Sequence, residues 1–207
     1  MSQETLLPPS DIPNLSSLHA RTEWASLLRV FVGGGSSDTI AHALFVNFVR
    51  LHDAAIGEYE LGRQEILAFH GRPPNQFGVG HIALATTHFE SCIWHLERFI
   101  KHARALRSLR SAELELKAII PRDISFLNQS AEKQITRVRH TLAHLEGAAL
   151  GGDLPQGNSV ALMPLERGLS IAAHTISWSD LTQWLCDAHA CIEKLARFKS
   201  PPPDSGA

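Results

Sequence analysis

The sequence predicts an all-α protein, an antiparallel bundle of four to five helices with one small β-hairpin before the last helix. Two observations predict this fold. Apolar residues recur at spacings of three and four in several long segments, and two strand-like runs flank a Glu-Arg-Gly turn in one short segment. The 207 residues suit one domain. We expect that domain over residues 16–199, between a flexible leader at 1–15 and a disordered tail at 200–207.

The N-terminal half of the domain is predicted to contain three helices. A short helix is expected over 17–32, and the glycine-rich run 33–38 is interpreted as a turn and a helix N-cap. No strand precedes that run and no Gly-Lys-Ser/Thr follows it, so it lacks the pattern of a phosphate-binding loop. Apolar faces predict long helices over 39–69 and 81–109, and the loop 71–80 between them is short enough to make them antiparallel.

The C-terminal half begins with a helix predicted over 129–150, which the pair Gly151-Gly152 ends. Strands are then expected over 160–165 and 169–176, on either side of the turn Glu166-Arg167-Gly168. A capping box, Ser177-x-x-Asp180, is predicted to open the last helix. The core face of that helix is expected to hold Leu181, Leu185, Ala188, Ile192 and Leu195.

The composition excludes several classes of protein. A hydrophobic content of 44%, with 19% charged residues, is typical of a globular chain and not of a disordered one. No apolar run is long enough to span a bilayer and no secretory signal is apparent, so we expect a cytoplasmic protein without a membrane partner. The cysteines Cys92, Cys186 and Cys191 form no C-x-x-C pair and are predicted to be core residues in a reducing compartment.

The most informative pattern is Arg139-His140-Thr141-Leu142-Ala143-His144, which lies within the helix predicted over 129–150. At about 100° per residue, Arg139 flanks the apolar stripe of this helix on one side. His140 and His144 lie one turn apart, toward its other side. A cation and two titratable rings therefore point away from the predicted core. The apolar stripe consists of Ile135, Val138, Leu142, Leu145 and Ala149.

This R-x-x-x-x-H pattern, with a polar residue after the arginine and late in a helical chain of this size, resembles the HEPN superfamily. The resemblance is specific over residues 129–150 and topological elsewhere. It implies a homodimeric, metal-independent endoribonuclease that acts on RNA without a cofactor, in a toxin, antiphage-defence or RNA-processing system. Candidate partners are RNA, a second copy of the chain, and an antitoxin or a larger complex.

The chemistry of RNA cleavage explains these residue types. The 2′-OH must lose a proton, the departing 5′ oxygen must gain one, and charge on the phosphorane must be neutralised. Imidazoles transfer protons near neutral pH and a guanidinium fork fits phosphate oxygens. If His144 of each protomer faced one cleft, one would act as base and one as acid. We assign proton transfer to His144, phosphate stabilisation to Arg139, and an orienting or assisting role to His140.

A second candidate set, for RNA binding, lies on the helix predicted over 81–109 and consists of Arg98, Lys101 and His95. The end of this helix is rich in cations, which would contact phosphates or complement the helix dipole. His95 also belongs to a line that recurs every seven residues with His81, His88 and His102. That line indicates a helix edge or an interface, or, for His88 and His95, the wall of a nucleotide cleft.

Three alternatives stay open for the motif residues. Arg139 and His144 on an outer helix face are also compatible with simple solvation and no chemical role. A catalytically inert helical module would use the same surface to bind a partner protein or a nucleotide. His140 and His144 also have the spacing at which two imidazoles share one zinc ion, although no cysteine pair is near enough in sequence to complete such a site.

Overall fold

The computed structural model describes residues 8–18, 39–73, 75–110, 117–151 and 161–197. In these residues the chain forms four α-helices and three short strands. The helices are α1 (Thr39–Gly71), α2 (Val79–Ser108), α3 (Gln129–Gly151) and α4 (Trp178–Arg197). The strands are β1 (Met163–Leu165), β2 (Gly168–Ile171) and β3 (His174–Ser177), and short 3-10 helices lie at Ser16–Leu18 and Ser125–Leu127.

The two longest helices, α1 and α2, pack along each other as an antiparallel pair. Residues late in α1 contact residues early in α2, as Glu65 meets His81 and Tyr59 meets Phe89. Toward the other end of the pair, Phe48 of α1 stacks on Phe99 of α2 with ring centroids 3.9 Å apart. Gly62 permits the close approach, because a Cβ there would lie 3.0 Å from the Phe89 ring. The antiparallel helical arrangement predicted from the sequence is confirmed.

The helix bounds agree with the predicted ones within two residues at each end, where the prediction falls on described residues. Most of the predicted apolar positions of α1 and α2 are buried, but Ile40 is exposed at the first turn of α1. Cys92 and Cys191 lie in the core as expected, whereas Cys186 is exposed on α4. The helix predicted over 17–32 falls largely outside the described residues, as do the glycine-rich run 33–38 and the tail 200–207.

The described part of the leader predicted over 1–15, residues 8–15, packs on the core instead of being flexible, and residues 1–7 lie outside the described residues. Ile12 and Leu15 are buried in the main core. The Tyr59 hydroxyl donates to the Pro13 carbonyl over 2.9 Å, and Arg63 Nε donates to the Ile12 carbonyl over 3.0 Å. Prolines lack an N–H and prevent a helix here, but they do not prevent an extended segment from packing on α1.

A loop and a polar cap position the start of α3. Phe126 packs edge-on against Phe99 at 5.2 Å between ring centroids, which fixes the preceding loop to the core. Asn128 then caps α3, because its Oδ1 accepts a hydrogen bond of 2.7 Å from the N–H of Ala131. On the inner face of α3, Ile135 and Val138 are buried. Its outer face is therefore left open along most of its length.

The predicted β-hairpin is a three-stranded antiparallel meander, ordered β1-β2-β3. The strand predicted over 169–176 is split by a turn at Ala172-Ala173, so that Ile171 pairs with His174. Ala172 adopts φ = 49°, a left-handed conformation that favours glycine. Because alanine and not glycine stands at this position, the sequence did not indicate a turn here. At Gly168 a side chain is excluded, because a Cβ would lie 2.0 Å from the Ile176 carbonyl oxygen.

The last helix, α4, closes the core against α1. The N-cap half of its predicted capping box is confirmed, because Ser177 Oγ accepts from the Asp180 N–H at 3.0 Å. The Asp180 carboxylate accepts from the Ser177 hydroxyl at 2.7 Å. All five predicted core residues of α4 are buried, and Trp178 donates from Nε1 to the Leu165 carbonyl at 2.9 Å. Within the described part of the chain, no helix combines the length and the apolar character needed to cross a membrane.

Candidate functional site: the two faces of helix α3

A groove of about 490 Å³ runs between α2 and α3, and Arg139 lies in its wall. Leu142 and Ala143 continue the α3 wall. The opposite wall comes from α2, with Thr87, Glu90, Ser91, Trp94 and His95. The groove thus combines a guanidinium, an imidazole, an indole and a carboxyl group in a space large enough for a small ligand.

Arg139 is held in this groove by a weak ion pair. Its Nε lies 3.8 Å from a carboxylate oxygen of Glu97, too far for a hydrogen bond, and its side chain is 30% exposed. The other oxygen of Glu97 accepts a hydrogen bond of 2.9 Å from Lys101. Arg139 Nε is itself buried and has no hydrogen-bond partner among the described residues. A buried donor left in this way costs free energy unless a ligand accepts from it.

His95 stands in the opposite wall, also with an unmet polar atom. Its Nδ1 is buried and lacks a hydrogen-bond partner in the described part of the chain. Burial lowers the pKa of His95, and the nearby Arg50 and Arg98 lower it further, against the opposing effect of Glu58. The ring is therefore favoured in its neutral form, which offers one donor and one acceptor to the groove.

The two other residues predicted to bind RNA lie at the edge of the same groove. The guanidinium of Arg98 sits over the ring of Trp94, 4.6 Å from its centroid, in a cation–π arrangement. Lys101 shares Glu97 with Arg139. The structure thus brings Arg139, His95, Arg98 and Lys101 to one side of α3, although these residues lie on two different helices.

Other cations near the end of α2 have structural partners. Arg104 forms an ion pair of 2.6 Å with Glu132 and contacts the Leu127 carbonyl. Arg107 donates to the carbonyls of Ile120 and Lys117. These two arginines join α2 to the first turn of α3 and to the segment before it, so the basic run is not one continuous surface.

His140 and His144 lie on a different face of α3 from Arg139. Both are exposed, and their ring centroids are 4.2 Å apart with the planes tilted by 56°. Neither ring lines the groove that contains Arg139. Five residues at about 100° each place His144 about 140° around the helix from Arg139. Within one protomer the two predicted catalytic residues therefore do not meet.

The exposed face that carries the histidines also carries two cations. Lys133, Arg137, His140 and His144 follow at spacings of four, three and four, and all four are exposed. Residues at such spacings lie along one face of a helix. We call these four residues the outer stripe. Its two cations extend the predicted histidine pair toward the start of α3.

Two of the four histidines that recur every seven residues along α2 lie at the edge between α1 and α2. Nδ1 of His81 is 2.7 Å from Glu65, and Nδ1 of His88 is 2.7 Å from Glu58. His102 instead contacts the carbonyl oxygen of Arg98 at 2.8 Å. The interface interpretation is therefore confirmed for His81 and His88, while His95 faces the groove.

The described residues contain no group of three histidine, cysteine or acidic side chains arranged to hold a metal ion. His140 and His144 are close enough to share an ion, yet a third protein ligand is not at hand in that part of the chain. Structural zinc sites take four ligands and catalytic ones take three from the protein. The zinc interpretation of this pair therefore has no support from the geometry.

Sequence reasoning missed several residues that form the groove. Trp94 and Glu90 lie on the same face of α2, four residues apart. No spacing in the sequence distinguished them from the other residues of that helix. Glu90 accepts a hydrogen bond of 3.3 Å from the Leu162 N–H, and burial raises its pKa despite that bond. The spacing of Lys133, Arg137, His140 and His144 was visible in the sequence and would have revealed the outer stripe.

The groove and the outer stripe are thus two chemically distinct surfaces of one helix. Comparisons of the chain with protein-family models, with curated proteins and with solved structures find no match.

Proposed function

We propose that the chain is a metal-independent endoribonuclease of HEPN type, acting as a homodimer in a toxin, antiphage-defence or RNA-processing system. One observation carries this proposal: two exposed imidazoles, 4.2 Å apart, stand on the same helix as an arginine whose Nε has no hydrogen-bond partner among the described residues. Proton-transfer groups and a phosphate-binding group are the parts that RNA cleavage without a metal requires.

The proposed mechanism divides the chemistry between two residue types. His144 of one protomer removes the proton from the 2′-OH, which attacks the adjacent phosphorus. His144 of the partner protonates the departing 5′ oxygen, and Arg139 of both protomers stabilises the charge on the phosphorane oxygens. His140 assists or orients His144, whose ring it contacts. The products are a 2′,3′-cyclic phosphate and a free 5′-OH.

A dimer is essential to this proposal. The mechanism uses one His144 as base and a second His144 as acid, and a single protomer supplies only one of them. A two-fold axis near α3 brings a second copy of each residue to the same cleft. The open outer face of α3 is compatible with such an assembly, since its histidines are exposed in the single chain.

One observation favours a second candidate, a catalytically inert module that binds a partner protein or a nucleotide. Arg139 is already paired with Glu97, as expected of an arginine that only joins two helices. In that case the groove between α2 and α3 binds its ligand without chemistry.

A cleavage assay separates the two candidates. Purified protein is incubated with mixed RNA in EDTA, beside Arg139→Ala and His144→Ala, with His42→Ala, on α1 and outside both pockets, as a matched control. The nuclease proposal predicts cleavage by the unaltered protein and by the control, and loss of cleavage in both motif variants. Cleavage that requires an added divalent metal, or that persists in His144→Ala, contradicts it.

A further inference from the structure

A second pocket, of about 410 Å³, lies between the first half of α3 and the turn that joins β2 to β3. Its α3 wall holds Ser130, Lys133, Gln134 and Arg137, and the strand side adds His174 and Thr175. These elements are far apart in sequence, so the pocket exists only because the meander packs against α3.

The pocket is suited to an anion. Lys133 and Arg137 lie one turn apart on α3, and neither forms an ion pair with a carboxylate of the described residues. No aspartate or glutamate of that part of the chain lines the pocket. Ser130, Thr175 and His174 add neutral hydrogen-bonding groups. A group with several acceptor oxygens and a negative charge, such as a phosphate, matches two cations beside such donors.

The walls of the pocket are fixed to each other. Gln134 donates from Nε2 to the Thr175 carbonyl and so joins α3 to β3. Thr175 in turn pairs with Ser170 in the sheet, and their hydroxyl oxygens are 3.2 Å apart. A site whose walls are held by packing and hydrogen bonds binds a ligand at a smaller cost in conformational entropy.

The position of the pocket connects it to the histidines. Lys133 and Arg137 are half of the outer stripe, and His140 and His144 are the other half. At about 1.5 Å per residue, Arg137 lies about 10 Å from His144 along the helix axis. A strand whose phosphate occupies the pocket therefore continues along the same helix face toward the imidazoles.

We propose that this pocket binds a backbone phosphate of single-stranded RNA beside the bond that is cleaved. The inference rests on the proposed function, because it places the substrate strand along the outer stripe. It adds the path of the strand along α3, and it assigns Lys133 and Arg137 as binding residues outside the Arg139 and His144 pattern.

The test measures the affinity of a short fluorescein-labelled 2′-O-methyl oligouridine at several salt concentrations. This strand lacks the 2′-OH and is not cleaved, so the unaltered protein is compared directly with Lys133→Ala/Arg137→Ala. A control, Arg122→Ala/Lys194→Ala, removes the same charge from two other exposed cations. Thermal unfolding of each variant verifies that it folds.

Each phosphate contact contributes about 0.7 to the slope of log affinity against log salt for a single strand, so the pocket variant, which loses one phosphate contact, should lose about 0.7 from that slope. The control should keep the slope of the unaltered protein. Equal slopes in the pocket variant and the unaltered protein overturn the inference, as does an equal loss in the control.

Inorganic phosphate, tested as a competitor, distinguishes the source of the anion. If phosphate binds the unaltered protein and not the pocket variant, while the oligouridine binds both equally, the assignment to RNA is overturned. Failure of the proposed function gives a different result: the salt slopes differ as expected, yet unmodified RNA is not cleaved. Cleavage with unchanged slopes instead overturns the pocket and leaves the nuclease proposal intact.

Discussion

Arg139 and His144, five residues apart, occupy different surfaces of α3. Arg139 lines the groove against α2, with its Nε 3.8 Å from a Glu97 carboxylate oxygen, whereas His144 is exposed and its ring lies 4.2 Å from the ring of His140. Their separation of about 140° around the helix places them on different sides of α3 within one protomer. The proposed catalytic site combines this helix with its copy in a second protomer.

Mixing protomers tests whether the site is shared. The unaltered protein is exchanged with His144→Ala at equal amounts and constant total concentration. If catalysis needs His144 from both protomers, only dimers of two unaltered chains act, and random pairing leaves about a quarter of the activity. If each protomer works alone, about half remains. Native mass spectrometry of the mixed dimers verifies that protomers have exchanged, and light scattering verifies that the mixture is dimeric. Activity that then rises linearly with the fraction of unaltered chain contradicts the composite site.

Replacing Arg139 by lysine should separate charge from geometry. Arg139→Lys retains a positive charge near Glu97, but an ammonium group does not reproduce the two-pronged contact with phosphate oxygens. We expect cleavage to fall by at least about a hundredfold. The free energy of unfolding should change by less than about 0.5 kcal/mol, because the existing pair is long and partly exposed. Arg139→Lys with near-normal cleavage would show that charge alone suffices.

The helical fold was predictable because its signals are local and repeated. Apolar spacing located α2 and α4, and the Ser177 and Asp180 pair marked the start of α4. Those patterns report only on the chain's own periodicity. They carried no information on which residues of α2 would face Arg139, since that depends on how two helices pack.

His189, partly buried beside the buried His52, should make stability depend on pH. Their rings lie 5.3 Å apart between α1 and α4. Burial lowers the pKa of His189, and His52 lowers it further while Glu193 opposes. Because the unfolded chain then binds a proton more readily, the free energy of unfolding should fall as pH drops below about 6.5.

His189→Gln should reduce this loss of stability between about pH 7.5 and about pH 5, as measured by urea unfolding at each pH. His140→Gln, at an exposed position, is the matched control for replacing a histidine by glutamine. His95 contributes in the same direction, since its pKa is also lowered by burial. A pH dependence identical in His189→Gln and the unaltered protein would count against this assignment.

The capping box at the start of α4 gives a test of the fold itself. Ser177→Ala removes the hydroxyl that accepts from the Asp180 N–H and should lower the free energy of unfolding by about 1 kcal/mol. The neighbouring Ser179→Ala removes an exposed hydroxyl that caps no backbone group and should cost less than half as much. Equal effects of the two changes in chemical denaturation would argue that the cap contributes nothing.

The features that escaped sequence reasoning depend on tertiary placement or on unusual backbone. Pro8, Pro9 and Pro13 indicated a flexible leader, yet Ile12 and Leu15 contribute to the core. Ala172 adopts a left-handed conformation without a glycine, so the second turn of the meander was not recognised. The phosphate pocket joins Lys133 and Arg137 to His174 across the packed meander, and no sequence spacing connects them.

The chemistry of the cleaved ends tests the central claim most directly. RNA is digested with the unaltered protein in EDTA, and the new 3′ ends of the fragments are identified by mass spectrometry. Proton transfer by His144 with attack of the 2′-OH predicts 2′,3′-cyclic phosphate ends, which are absent from a parallel digest with His144→Ala. Ends with a free 3′-OH and a 5′-phosphate, or cyclic ends that persist in His144→Ala, would contradict the account.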